Sequence, residues 1–155
     1  MSAKGEDAGF AAVREWIHAG LNGQGMLHHL GVEIDEVAPG KVTLSLPFRR
    51  EVAQQNGFFH GAAIGFLVDD ATAAAAGTVV RDGETVLTAE YKINFVAPGI
   101  GERLVCRAEA IKAGRTLIPV EARVFAVKDG QETLCAVALA SMAVRASDRL
   151  KGASK

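Results

Sequence analysis

Cysteine, surplus charge and long hydrophobic runs are all scarce in this chain of 155 residues, and each scarcity closes off a class of protein. The two cysteines, Cys106 and Cys135, fall inside strand-like runs, Arg103 to Ala110 and Thr133 to Ala140. They read as core thiols of a protein kept in a reducing cytoplasm, not as a disulfide. Lys and Arg total 17 against 18 Asp and Glu, a net charge of -1, and no basic block occurs, which excludes general nucleic-acid binding. His18, His28, His29 and His60 show no ligand spacing with each other or with the cysteines, so no metal is expected. The start, Met1 to Asp7, is polar with no hydrophobic signal-peptide core behind it. Only Gly61 to Val80 is about as long as a membrane span. Asp69, Asp70 and Thr72 at its centre, in a run made mostly of Ala and Gly, argue against membrane insertion. Repeats, low-complexity tracts and linkers are missing too, and the length suits one domain with a real core.

What is present is periodicity. Phe10, Val13, Trp16 and Ile17 have helical spacing over Ala8 to Gly20, with Gly20 and Gly23 as the stop. Leu30 to Val37 and Lys41 to Phe48 alternate apolar and polar around Ala38-Pro39-Gly40, a hairpin signal with Val42, Leu44, Leu46 and Phe48 on one face. A polar loop, Arg49 to Gly57, precedes the Ala/Gly-rich helix Gly61 to Val80. Four strands follow: Thr85 to Val96, Glu102 to Lys112, Thr116 to Val127 and Glu132 to Arg145. The last is apolar on both faces, as a central strand covered on both sides should be. Two strands, one long helix and four strands predict an antiparallel α+β arrangement. A helix apolar all round must be enclosed, so the sheet should wrap it. The organisation is then a helical segment over 1–28, the sheet-and-helix domain over 29–146, and a solvated tail over 147–155.

Carboxylates inside an apolar helix are costly unless used, so Asp69 and Asp70 are functional candidates. Their side chains diverge by about 100° on a helix, and Asp69 shares an i, i+4 stripe with Gly61 and Gly65, while Asp70 lies beside Phe66 and Ala73. The stripe favours Asp69 as the working acid and leaves Asp70 as a structural one. The helix start offers free N–H groups and the positive dipole end to an oxygen gaining negative charge, which suggests attack on an acyl carbonyl. Gly61 and Asp69 are eight residues apart, about 12 Å along the helix. A carbonyl bonded to the Gly61 N–H therefore cannot reach Asp69 of the same helix. The acid must come from a second copy of the chain, in a two-fold pair with two equivalent sites.

The residues His60-Gly61-Ala62, Asp69, Thr88-Ala89-Glu90-Tyr91-Lys92-Ile93-Asn94-Phe95 before Pro98, and Gly114-Arg115-Thr116 occur in an order that resembles the hotdog-fold thioesterases. The nearest group contains the phenylacetate-pathway and 4-hydroxybenzoyl-CoA thioesterases, and the resemblance covers Leu30 to Val144. It implies an antiparallel sheet wrapped around a long central helix, and an acyl-CoA thioesterase with no cofactor beyond its CoA thioester substrate. It also implies a homodimer, assembled into a homotetramer. On this resemblance Gly61 supplies the N–H that polarises the thioester carbonyl, and Gln54, six residues before the histidine, supplies a second donor. Asp69, nine residues after it, is the catalytic carboxylate, and Thr88 positions acid or water. Ala62 stands where the family commonly has a second glycine, narrowing the turn without removing its N–H. His60 reads as a structural residue at the turn, since no nucleophile accompanies it. Arg115, Lys92, Arg103 and Lys112 are the cations available to CoA phosphates. Two rivals remain: a hotdog dehydratase of hydroxyacyl thioesters, which would need a histidine working with an acid, and a silent acyl-CoA-binding protein.

Overall fold

The computed structural model describes residues 4–147. Helix α1 (Lys4–Asn22) and the short α2 (Gly25–Leu30) lead into strands β1 (Glu33–Ala38) and β2 (Lys41–Pro47). A 3₁₀ turn at Arg50–Val52 precedes α3 (Gly61–Gly77). Strands β3 (Glu84–Phe95), β4 (Arg103–Ala110), β5 (Leu117–Lys128) and β6 (Gln131–Ala146) complete one sheet in the order β1-β2-β4-β5-β6-β3, antiparallel throughout. The hairpin turns carry their own chemistry. Gly40 takes φ +72° in the β1–β2 turn, and Asp129 and Gly130 take φ +49° and +76° in the β5–β6 turn, where a tight hairpin demands left-handed backbone.

The sheet wraps α3, which packs against β2 through β6. Leu67, Val68, Ala71, Ala75 and Ala76 are wholly buried there, among Leu44, Leu46, Leu104, Val124 and Met142 of the sheet. This explains a helix with almost no polar face: α1 closes much of the side that the sheet leaves open. Cys106 and Cys135 are free and buried, and burial pushes their thiols up to about 12 and about 11. Both are therefore protonated, inert packing groups.

Several expectations need correction. Helix α1 runs further than Ala8 to Gly20 at both ends. The hairpin's first strand begins at Glu33, because Leu30 ends α2, a helix closed by Gly31 in the left-handed conformation. Helix α3 stops at Gly77 instead of Val80, where the Thr78 hydroxyl donates to the Ala75 carbonyl and accepts from the Gly40 N–H, both at 2.7 Å. Strand β6 is central but is covered on one side only: Ala136, Ala140 and Met142 face α3, while Leu139 on the other face is 53% exposed. The expected tail, apart from Ser147, lies outside the described residues. None of the described helices is long and apolar enough to cross a membrane.

Candidate active site

The loop before α3 is built to present its start. Phe59 is buried, packs edge-on to Phe48 with ring centroids 5.1 Å apart, and donates its N–H to the Gly99 carbonyl at 2.9 Å. A bridge between Ala53 and Phe59 folds the intervening residues into a tight hairpin, where Gly57 has φ +83°. Gln54 opens this hairpin, its N–H donating to the Phe58 carbonyl at 2.8 Å. Its side-chain carbonyl accepts from the Asn56 N–H at 2.7 Å, which leaves the amide NH₂ as a donor.

His60 is the N-cap of α3. Its Nδ1 accepts from the Ala62 N–H at 2.9 Å, and its carbonyl accepts from Ala63 and Ile64. With Nδ1 committed as acceptor, the neutral ring carries its proton on Nε2 and is a donor, not a base. Among the described residues nothing accepts from the Gly61 N–H, the first free donor of a 17-residue helix. That hydrogen sits at the positive end of the helix dipole. His60 and Ala62 also border a cleft of about 270 Å³ with Met26, Leu30 and Glu51.

The stripe Gly61, Gly65, Asp69 faces β3. A methyl group at Gly61 would meet the Phe95 ring at 3.4 Å, and one at Gly65 would meet the Tyr91 hydroxyl at 3.4 Å. The Thr88 hydroxyl donates to Asp69 Oδ1 at 2.7 Å, so the half-buried carboxylate is held, with no partner to its other oxygen among the described residues. A bulge between Thr88 and Glu90 makes this alignment possible. Thr88 stands opposite Met142 and Tyr91 opposite Ala140, both facing α3, whereas Glu90 stands opposite Ser141 on the outer face. In strict two-residue alternation Thr88 and Tyr91 would point to opposite faces. The extra residue re-aims the strand beside the acid. Tyr91 and Phe95 are the site residues to which the sequence assigned no role, and the bulge hides them.

His60 and Gly61 form the start of α3, Gln54 stands in the loop hairpin before it, and Asp69 and Thr88 meet two turns along the helix. Arg115 is exposed in the β4–β5 turn. Gly114 beside it is obligatory, because a Cβ there would sit 2.0 Å from the Leu117 carbonyl oxygen. Lys92 donates to Asn94 at 2.7 Å, and Arg103 lies 3.6 Å from Asp35.

Asp70 looks the other way, toward α1. With its amide turned to donate, Gln24 places nitrogen 3.2 Å from both Asp70 oxygens. Burial, and then the Asp69 charge beside it, push the Asp70 carboxyl up to about 6, against the opposing bond from Gln24. The native acid thus keeps its proton to higher pH than the unfolded one, whose pKa is near 3.8. Stability falls as pH rises through that window and stays lower above it. Asp70→Asn should raise the melting temperature at about pH 7.5, by about 1 kcal/mol of stability after discounting for partial exposure, and should gain nothing at about pH 4. Equal gains at both pH values in thermal melts would contradict this account.

The sequence profile of the thioesterase superfamily matches residues 56–133. The crystal structure of a thioesterase family protein from Silicibacter pomeroyi is 34% identical, with a TM-score of 0.85 over 87% of this chain and 99% of that one. The PaaI protein of the Escherichia coli phenylacetic acid degradation operon shares the fold at 18% identity and a TM-score of 0.75, covering 84% of this chain and 91% of its own. A Saccharolobus solfataricus protein provisionally named an esterase is 29% identical over 126 residues, 80% of each chain. Sequence shared over most of the length, on one architecture of sheet around helix, makes this chain a member of the thioesterase superfamily, a thioester hydrolase of the hotdog fold.

Proposed function

We propose that the protein is an acyl-CoA thioesterase whose two active sites are each shared between the subunits of a two-fold dimer. The observation that carries this reading is the split stripe on α3. A free N–H at Gly61 and a held carboxylate at Asp69 lie on the same face, about 12 Å apart. Strand β3 supports the pairing. It is a 12-residue strand at the sheet edge, with Tyr91, Phe95 and Val96 exposed, and long apolar edges of this kind pair or are covered. Joining two β3 edges about an axis near Gly65 and Tyr91 exchanges the ends of the stripe and sets Gly61 of each subunit against Asp69 of the other.

In each site the Gly61 N–H and the Gln54 amide hold the thioester oxygen as it gains charge, and the α3 dipole adds to their field. Asp69, aimed by Thr88, either takes a proton from the attacking water or adds to the carbonyl to form a mixed anhydride that water then opens. Either route expels the CoA thiolate and yields the carboxylic acid. Acid, amide and N–H suffice for this chemistry, so we assign no cofactor. The dehydratase reading loses its base, because His60 Nδ1 is occupied by the Ala62 N–H. The outer sheet face, with Leu87, Leu117 and Leu139 exposed, suits a second contact that pairs dimers into a tetramer. The free thiols suit a cytoplasmic protein.

The test is thiol release across a panel of aromatic and aliphatic acyl-CoAs, with particle mass measured in parallel. Release of CoA by a species of at least dimeric mass is the expected result. Binding without release would instead identify a silent acyl-CoA carrier.

A further inference from the structure

Between α1, α3 and the start of β3 lies a space that the catalytic residues do not use. Helix α1 and the turn after it cross α3, with Gln24 of that turn over Asp70 at one end and Trp16 and Ile17 over Gly77 at the other. Between these contacts lies a groove of about 220 Å³, open to solvent and walled by Ile17, Leu21, Ala73, Ala74 and Val86. The packing along this crossing is uneven. At Gly77 the helices touch: an added methyl would sit 2.9 Å from Ile17 Cδ1 and 3.4 Å from Trp16 Cζ3. Gly20, on the open side of the same crossing, is exposed, and an added methyl there would meet nothing within 4 Å.

The space adjoins the acid. Asp70, the next residue after Asp69, lies on its rim, and Thr85 and Val86 on its wall are the strand residues shortly before Thr88, which bonds Asp69. Its polar rim groups are spoken for, because both oxygens of Asp70 face the Gln24 amide. What remains exposed inside is mostly hydrocarbon. On the far side of the Trp16–Gly77 contact a second groove of about 250 Å³ shares those two residues and continues toward Val80 and Gly83.

Building on the acyl-CoA reading, we infer that the acyl chain runs from the carbonyl at Asp69 into the α1–α3 groove of the subunit that supplies the acid. Trp16 lying against Gly77 forms its end wall. Asp69 to Gly77 is eight residues, about 12 Å of helix. An extended covalent chain advances roughly 3.5 Å for every three bonds, so the space takes an acyl chain of about eight to ten carbons. Trp16 is thus a specificity-determining residue, and the enzyme is selective for medium-chain acyl groups.

The experiment measures kcat/KM for saturated acyl-CoAs of increasing length with the unmodified enzyme, Trp16→Ala and Ala73→Leu. In the unmodified enzyme the value should climb by up to about fourfold per added methylene and stop at about eight to ten carbons. Trp16→Ala joins the two grooves, so the climb should continue to longer chains. Ala73→Leu fills the near groove and should move the maximum to shorter ones, and it carries the test alone if the tryptophan variant does not fold. Cleavage with the same maximum in every folded variant overturns this inference and leaves the thioesterase reading standing. Failure of the unmodified enzyme to cleave any saturated chain also overturns this inference, and failure on aromatic acyl-CoAs as well overturns the thioesterase reading with it.

Discussion

Asp69→Asn lowers kcat/KM for acyl-CoA hydrolysis by about 10²- to 10⁴-fold, the usual cost of losing a positioned base or carboxylate nucleophile. The fold has no reason to suffer. Asn keeps the oxygen that accepts from the Thr88 hydroxyl, now at 2.7 Å, and the residue is half-buried at the helix surface rather than packed in the core. Asp70→Asn should change the same rate far less, because Asp70 faces Gln24 and α1 while Asp69 faces β3. The contrast between neighbours about 100° apart on one helix is the informative result. Equal losses in both variants would point to general electrostatics of the acid pair, and a loss only at Asp70 would transfer the role to that residue. A single turnover in heavy-oxygen water then separates the two routes, since an anhydride places the first label in Asp69 and a water attack places it in the product.

The sequence exposes the sheet far better than the ways around it. Alternating apolar residues and hairpin turns at Pro39-Gly40 and Asp129-Gly130 mark the strands to within a few residues, because each strand has one buried face and a local turn signal. Helix α2 escapes for the opposite reason. It spans six residues, Gly25–Leu30, too few for a helical period to stand out, and its apolar residues run on into those of β1. The end of α3 is misread because Val79 and Val80 continue the apolar run, whereas the helix is stopped by the Thr78 hydroxyl, which hydropathy does not register. Strand β6 looks covered on both sides because its outer face carries Val137 and Leu139, apolar residues that nothing in the single chain covers fully.

In the site, the stripe Gly61, Gly65, Asp69 is legible because it is local to one helix. Its complement on β3 is not, because the bulge after Thr88 shifts the facing set from alternate residues to Thr88, Tyr91 and Phe95. The pair Gln24 and Asp70 is likewise invisible, since nothing in either segment signals a contact across 46 positions. Asp70 illustrates the ambiguity of a buried acid: its carboxyl is the one pushed up to about 6, yet geometry tethers it to Gln24 in the turn after α1, and the proposed chemistry belongs to its neighbour. A shifted pKa marks an unusual environment, and only the direction of the side chain says whether that environment is a site.

Mixing two dead variants should restore activity. Gln54→Ala removes a donor to the thioester oxygen, a loss of about 10²- to 10³-fold for groups of this kind, and Asp69→Asn removes the acid. If each site takes Gln54 and Gly61 from one subunit and Asp69 from the other, a mixed dimer has one site built wholly from intact parts and one lacking both. Random exchange of equal amounts makes half of the dimers mixed, so the pool should recover about a quarter of the unmodified activity, far above either variant alone. A site contained within one chain gives no recovery, because every chain then carries a defect. Such a site would require one substrate carbonyl to reach both ends of a helix segment about 12 Å long, and rigid α-helical geometry forbids that. Recovery after subunit exchange, absent when the two proteins are assayed before exchange, therefore measures directly whether the polypeptide works alone or in pairs.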